Sequence, residues 1–173
     1  MTLYDVFVPP VRKMLGNTLA WLDKAQAHAD AKGFEFEVLA QARLAPDQYT
    51  LLRQIQSLCD AAKMPPARLL ELEPPKHPDT ETSLAQLRPR IAEVSEYLGT
   101  FRPEQFVDAE RRKVSLAFLQ GRWLTGTEYV CGMALPNFYF HVTTAYSILR
   151  HNGVPLGKTD FIGSLDLRPL EGT

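Results

Sequence analysis

Apolar residues recur at intervals of three and four along four long stretches of this chain, which predicts four amphipathic helices. The clearest stretch runs from Gly126 to Asn152. Its apolar stripe consists of Ala134, Phe138, His141, Ala145 and Ile148. These residues fall within about a third of the helix circumference, so His141 should face other helices. Pro136 lacks a backbone N–H, so we expect a kink between Gly132 and Pro136 with room for a pocket beside it.

Three further helices are predicted before this one. The first covers residues 3 to 32, and the third, the most regular, covers residues 84 to 98. The second should begin at Pro46, and the pair Pro65 and Pro66 predicts that it kinks or restarts there. Four amphipathic segments around one core predict an all-α fold, a four-helix bundle.

Two segments depart from the helical period. Residues 110 to 125 alternate apolar and polar side chains around Gln120 and Gly121, which predicts a small β-hairpin before the last helix. The tail, residues 157 to 173, is polar, and we expect it to pack on the bundle through Phe161 and Ile162 or to extend from it. The whole chain, residues 1 to 173, is predicted to be a single domain with long connections between its helices.

Composition excludes several classes of partner. The net charge is −1 and charged residues are scattered, so neither nucleic acid nor an anionic membrane is an expected partner. The first ten residues do not form a secretory signal, and no apolar run is long enough to span a bilayer. A cytoplasmic location is therefore expected. The two cysteines, Cys59 and Cys131, are predicted to be reduced and buried rather than joined in a disulfide.

Three stretches of sequence carry a family resemblance. They are the opening LYDVFVPP, LAQARLAPDQYTLLRQIQ at residues 39 to 56, and LPNFYFHVTTAYSILRHNGVPLGKTDFIG at residues 135 to 163. With these stretches the chain resembles the DinB/YfiT-like superfamily of bacterial four-helix bundles. It is most similar to a bacterial family of unknown function placed near them. The resemblance covers nearly the whole chain and implies a DinB-like bundle.

The resemblance also implies where a metal site would lie. Many DinB-like proteins bind a divalent metal through three histidines, one on helix two and an HxxxH pair on the last helix. Some relatives are metal-dependent transferases or isomerases that use low-molecular-weight thiols. Here the residue four positions before His141 is Asn137, so the pair reads NxxxH instead of HxxxH. The predicted second helix contains no histidine. Only His141 remains as a metal ligand. No cofactor is therefore expected, with a divalent metal such as zinc or nickel as the alternative.

Several roles are open to His141. It could be a core histidine bonded to a carbonyl or a buried water, because an unpaired buried polar group costs about 1–3 kcal/mol. It could line a small-molecule pocket with Asn137 and either Gln54 or Gln56, which flank the apolar stripe of helix two. It could also be a general base or residual metal ligand, with Cys59 as a conceivable second donor. The other histidines, His28, His77 and His151, are predicted to be solvated or capping residues.

The leading hypothesis is a DinB-like bundle with a degenerate metal site that binds a small ligand or a partner. The predicted ligand-binding residues are Asn137, His141, Gln54 and Gln56, and no catalytic residue is assigned. One rival is a metal-dependent enzyme, either a thiol-linked transferase or isomerase or a hydrolase, that uses His141. The other rival is a mainly structural homodimer, and a homodimer is expected in any case. Whether the chain is an enzyme is left open.

Overall fold

Four long helical segments surround one apolar core in the computed structural model of the chain, which describes residues 1–170. The second and fifth helices pack most extensively on each other, and the third packs on the first and second. The helices are α1 (Leu3–Lys32), α2 (Leu51–Leu70), α3 (Leu84–Gly99), α4 (Gly126–Tyr129), α5 (Leu135–His151) and α6 (Lys158–Ile162). This architecture confirms the predicted all-α four-helix bundle. Within residues 1–170, no helix is long and apolar enough to cross a membrane.

Side-chain caps set the N-terminal ends of α1 and α3. The Thr2 hydroxyl accepts from the Asp5 backbone N–H, while the Asp5 carboxylate accepts from the Thr2 N–H. Such a capping box satisfies backbone donors that have no partner within the helix. Ser83 and Gln86 form the same box at the start of α3. Both predicted helices are confirmed, within one residue at each end.

The second helix differs from the prediction at its start and at its proline pair. Pro46 lies in a turn, and α2 begins only at Leu51, where the Thr50 hydroxyl accepts from the Arg53 N–H. The helix then continues through Pro65 and Pro66 to Leu70 without a restart. Both prolines are buried, so the apolar contacts that they make offset the backbone hydrogen bonds that they lack.

The predicted β-hairpin is present and short. Strands β1 (Lys113–Ser115) and β2 (Trp123–Thr125) are antiparallel, with Val114 opposite Leu124. The strands are joined by residues 116–122, which include a 3-10 turn at Ala117–Leu119, so the predicted short turn is wrong. Gln120 and Gly121, with φ angles of 49° and 81°, return the chain to β2 at the end of this loop. The hairpin leads directly into the last helical segment.

That last segment is interrupted next to Pro136. A π-helical turn, Val130–Ala134, joins α4 to α5, so the predicted irregularity takes the form of a wider turn. Pro136 follows this turn within one continuous helical segment, residues 126–151, and its missing N–H and its ring are accommodated by the wider π turn before it. Cys131 lies on the exposed side of the π turn, so the prediction that it is buried is wrong.

The tail is held on α1 by aromatic contacts and hydrogen bonds. Phe161 stacks on Trp21 with ring centroids 5.6 Å apart, and the Trp21 indole N–H donates to the Asp160 carbonyl at 3.0 Å. Ile162 is 39% exposed, so the prediction that it anchors the tail is wrong. Ile162 follows Phe161 by about 100° around α6, so it lies off the side of the helix that contacts Trp21. Residues 171–173 of the predicted tail lie outside the described residues.

The two cysteines should differ in reactivity. Burial raises the pKa of Cys59 to about 12, whereas Cys131 is exposed. Because the thiolate is the nucleophile, we expect an aromatic disulfide reagent to modify one thiol of the native protein and a second thiol only in denaturant. The Cys131→Ser variant should lose the fast reaction. A fast native reaction in that variant would contradict the packing described for Cys59.

Candidate functional site

A cleft of about 300 Å³ lies between α2 and the last helical segment. The π turn forms part of its wall through Met133 and Ala134, so the irregularity near Pro136 does border a pocket. Polar residues line one end of the cleft, and mainly apolar residues line its middle, together with Asp60. The polar end consists of Tyr49, Arg53, Ser57, Asn137 and His141. The apolar middle consists of Ala61, Met64, Pro65, Met133 and Ala134.

His141 is bonded to Gln54 across the helix interface. Its Nδ1 lies 2.8 Å from Oε1 of Gln54, a side chain that is 1% exposed. A carbonyl oxygen can only accept, so Nδ1 carries the proton and Nε2 has a free lone pair. Within residues 1–170, no protein group forms a hydrogen bond with Nε2. The imidazole therefore offers an acceptor to a bound molecule.

Electrostatics keep this imidazole neutral. Burial and, to a smaller extent, the nearby Arg53 guanidinium lower the pKa of His141. Arg53 itself donates to Asp79 at 2.5 Å and to Oε1 of Gln56 at 3.2 Å, both through one terminal nitrogen. Its other terminal nitrogen has no partner in the described chain, so one edge of the guanidinium remains available at the polar end of the cleft.

The four predicted site residues are divided between two places. Gln54, His141 and the exposed Asn137 lie together, with Asn137 one turn before His141 on the cleft wall. Gln56 points elsewhere, because its Nε2 donates to Glu81 at 3.0 Å in the loop between α2 and α3. The structure thus brings together three of the four residues. Their roles in ligand binding stay a prediction.

The cleft carries an excess of positive charge. Arg53 lies at one end, and Arg68, whose guanidinium donates to the Tyr129 hydroxyl at 2.9 Å, lies at the other. Asp60 contributes the one carboxylate of the lining, and its Oδ1 already accepts from the buried Lys63 and Arg90. An anion is therefore complementary to the cleft.

A buried arginine joins the cleft to the loop that follows α2. Arg90, on α3, is 3% exposed and donates to Asp79 at 2.6 Å, Glu81 at 3.2 Å and Asp60 at 2.9 Å. Burial raises the pKa of Asp79, but hydrogen bonds from Arg53 and Arg90 outweigh it and leave the pKa lowered. The loop is thus fixed to α2 and α3 by ion pairs, and it holds Arg53 in position through Asp79.

A second hollow, of about 830 Å³, lies on the other side of Met64, against the proline segment of residues 74–78. Its polar floor is Lys63, whose Nζ is 2.7 Å from Nδ1 of His77, while Nε2 of His77 is 3.2 Å from Glu93. The His77 side chain is only 8% exposed, so the prediction that it is solvated is wrong. The proline segment folds back along α2, so that His77 contacts Lys63 of that helix.

The residues of the cleft do not fit the three-histidine metal site of DinB-like proteins. Gln54 lies opposite His141, and Asn137 lies one turn before it on the same helix. Both side chains are neutral amides, which are weak ligands for a transition metal. Cys59 is fully buried in the core and does not line the cleft. Across residues 1–170 there is no group of three histidine, cysteine, aspartate or glutamate side chains that could hold a metal ion.

Comparison with known families and structures agrees with this fold. The domain of unknown function DUF1993 matches residues 3–162. The chain belongs to the DUF1993 family. It is also similar to the crystal structure of a DinB family member protein from Shewanella denitrificans, with 47% sequence identity and a TM-score of 0.94. That similarity covers 97% of this chain and 96% of the other. No curated protein matches the chain.

Sequence reasoning missed the charged residues of this DUF1993 domain. Arg90 lies between Leu87 and Ile91 of the apolar stripe on α3, and that spacing already indicates an inward-facing guanidinium. Asp79 and Glu81 precede α3 in the loop, and these two acidic residues could have been predicted as ion-pair partners of Arg90. Arg53 and Arg68 gave no such signal, because both have exposed surface on α2 and resemble ordinary solvated residues.

The hydrogen bond to Gln54 makes a spectroscopic prediction for His141. We expect long-range ¹H–¹⁵N spectra at pH 7.5 to show a neutral ring with its proton on Nδ1, and a pKa below the ordinary 6.5. Since the folded pKa is the lower one, this group's contribution to stability is complete above pH 6.5 and declines as the pH falls toward the folded pKa.

A matched variant isolates the cause. Gln54→Met removes the acceptor at nearly constant volume, so the ring should populate both neutral tautomers. An Nε2-protonated ring in the unaltered protein would contradict the geometry of the cleft.

Proposed function

We propose that this DUF1993 domain binds a small organic acid that carries a hydroxyl group, in the cleft beside His141. The observation that supports it is the pairing of a neutral imidazole, whose Nε2 is a free acceptor, with the available edge of Arg53. The ligand's carboxylate would accept from Arg53, and its hydroxyl would donate to Nε2 of His141. A charge-assisted bond of this kind contributes about 1.5–3 kcal/mol.

The cleft is preorganised for binding. Its hydrogen bonds hold His141 in one tautomer through Gln54, and Arg53 in one position through Asp79. Groups fixed in this way lose little conformational freedom when a ligand binds, so more of the interaction energy appears as affinity. The volume of about 300 Å³ lies at the lower end of the range for small-molecule sites.

Three probes of similar size test the proposal. We expect lactate to shift the backbone amide resonances of Arg53 and His141 at millimolar concentrations. Propanoate lacks the hydroxyl and lactamide lacks the charge, so both should bind at least several-fold more weakly. Dissociation constants come from ¹⁵N-edited spectra recorded during titration.

Two variants separate the groups that recognise the ligand. Arg53→Gln should weaken lactate about tenfold and leave lactamide unchanged, and His141→Phe should remove the preference for lactate over propanoate. Arg88→Gln is the matched control, because Arg88 is a surface arginine whose partner is Asp23 on α1. If lactate shifts no cleft resonance, or binds both cleft variants as well as the unaltered protein, the proposal is wrong.

A further inference from the structure

Along α2 the lining of the cleft changes from polar to mainly apolar residues, and this order constrains the part of the ligand beyond its acid group. Arg53 and Ser57 lie at the polar end, and Ala61 and Pro65 follow at the next two turns of the same helix face. At 1.5 Å per residue, Ala61 lies about 10 Å beyond Gln54, the partner of His141. Asp60 lies beside Ala61 in the same lining, and its Oδ1 is already paired with Lys63 and Arg90. A molecule that extends from His141 along the cleft therefore reaches the apolar surface of Ala61 and Pro65 within about two helix turns.

The apolar part is bounded by flexible side chains. Met64 on α2 and Met133 on the π turn both line it, and Ala134 forms its wall next to Asn137. Methionine adapts its shape to bound apolar groups because it is unbranched and its sulfur is polarizable. The Arg68–Tyr129 hydrogen bond lies at the far end. Beyond Met64, the proline segment of residues 74–78 adds apolar surface to the neighbouring hollow.

We infer that the ligand is an amphipathic hydroxy acid, whose hydrocarbon chain of about six carbons lies against Ala61, Met64 and Met133. This inference rests on the proposed function, since the acid group binds at Arg53 and the hydroxyl at His141. The charge at one end and the apolar lining beyond it match a molecule with the same order of groups. A short polar acid would leave the apolar lining in contact with water, and burial of that lining is favourable.

A chain-length comparison tests it. We expect 2-hydroxyoctanoate to bind at least tenfold more tightly than lactate, because several methylene groups become buried. Met64→Ser and Met133→Ser should each reduce that advantage several-fold while lactate binding stays the same. The matched control is Val38→Ser, which removes an exposed apolar side chain that does not line the cleft. Dissociation constants would come from the same ¹⁵N-edited titrations.

The outcomes separate the two proposals. Equal affinity for lactate and 2-hydroxyoctanoate overturns the amphipathic ligand and leaves the small-acid proposal standing. A chain-length advantage that survives in both methionine variants also overturns it, since the chain would then lie elsewhere. If neither acid binds, the proposed function itself fails, and this inference fails with it.

Discussion

Replacing Arg90 with methionine should lower the free energy of unfolding by about 3 kcal/mol. The guanidinium is buried and is shared by Asp60, Asp79 and Glu81, with a further bond to the carbonyl oxygen of Gln56. Removing one partner of a buried ion pair leaves the opposite charges partly desolvated and unpaired. The three carboxylates are between 14% and 41% exposed, which moderates the loss because water can reach them. Urea-induced unfolding would measure the change.

A second arginine of the same helix is the control. Arg88 is exposed to about a third and pairs with Asp23 on α1, whose side chain is 70% exposed. Exposed pairs of this kind contribute at most about 1 kcal/mol, so Arg88→Met should cost much less than Arg90→Met. Equal losses in the two variants would show that Arg90 does not hold the loop to the bundle.

The pH dependence of the loss follows from the same ion pairs. Burial raises the pKa of Glu81, but hydrogen bonds from its own backbone, Gln56 and Arg90 outweigh burial and leave that pKa lowered. The pKa of Asp79 is lowered in the same way, by Arg53 and Arg90. Since these folded pKa values lie below the unfolded ones, the stabilisation is present above about pH 4.5 and is lost as the pH falls through the folded values. The difference between the unaltered protein and Arg90→Met should therefore shrink in acid.

Adding one methyl group at Gly126 should cost about 2–3 kcal/mol. Gly126 is the first residue of α4, and a Cβ there would lie 1.9 Å from the carbonyl oxygen of Ala109 and 3.2 Å from Leu69. The contact is with backbone, which cannot rotate away as a side chain can. The Gly126→Ala variant should therefore push residue 109 and the hairpin away from the start of the last helical segment. Thermal unfolding would show a lower midpoint.

Gly132 provides the matched control a few residues later. It lies in the π turn, is exposed, and has no heavy atom within 4 Å of an added Cβ. Gly132→Ala should leave stability unchanged or raise it slightly, because alanine has less backbone entropy to lose than glycine. If Gly126→Ala is as stable as Gly132→Ala, the close approach of the Ala109 carbonyl oxygen to residue 126 is wrong.

The bundle could be predicted because its helices are specified locally. The ends of α1 and α3 follow from Thr2 and Ser83, whose caps act on residues three positions away. The hairpin follows from the alternation of apolar and polar residues, although its loop, residues 116–122, is longer than the predicted turn. The start of α2 was missed because Pro46 and Asp47 resemble a helix start, while the cap that operates is Thr50. Propensity rules cannot choose between two competing starts.

The site could be predicted only where one helix determines it. Asn137 and His141 share a wall because they are four residues apart on α5. Gln54 and Gln56 both flank the stripe of α2, and only the fold shows that the first faces His141 and the second faces Glu81. The contribution of Arg53 depends on Asp79, a residue 26 positions away in an irregular loop. The expected homodimer depends on surfaces between chains and stays a prediction.

Whether the cleft beside His141 binds an organic acid or a metal can be measured at the imidazole itself. Long-range ¹H–¹⁵N spectra of His141 would be recorded on untagged protein, first with one equivalent of zinc or nickel and then with lactate. We expect the metals to leave the Nε2 resonance in place, since Gln54 and Asn137 are poor ligands, and lactate to shift it. If one equivalent of zinc shifts or broadens the Nε2 resonance, and the His141→Gln variant no longer binds zinc, the proposal is wrong and the metalloenzyme hypothesis is restored.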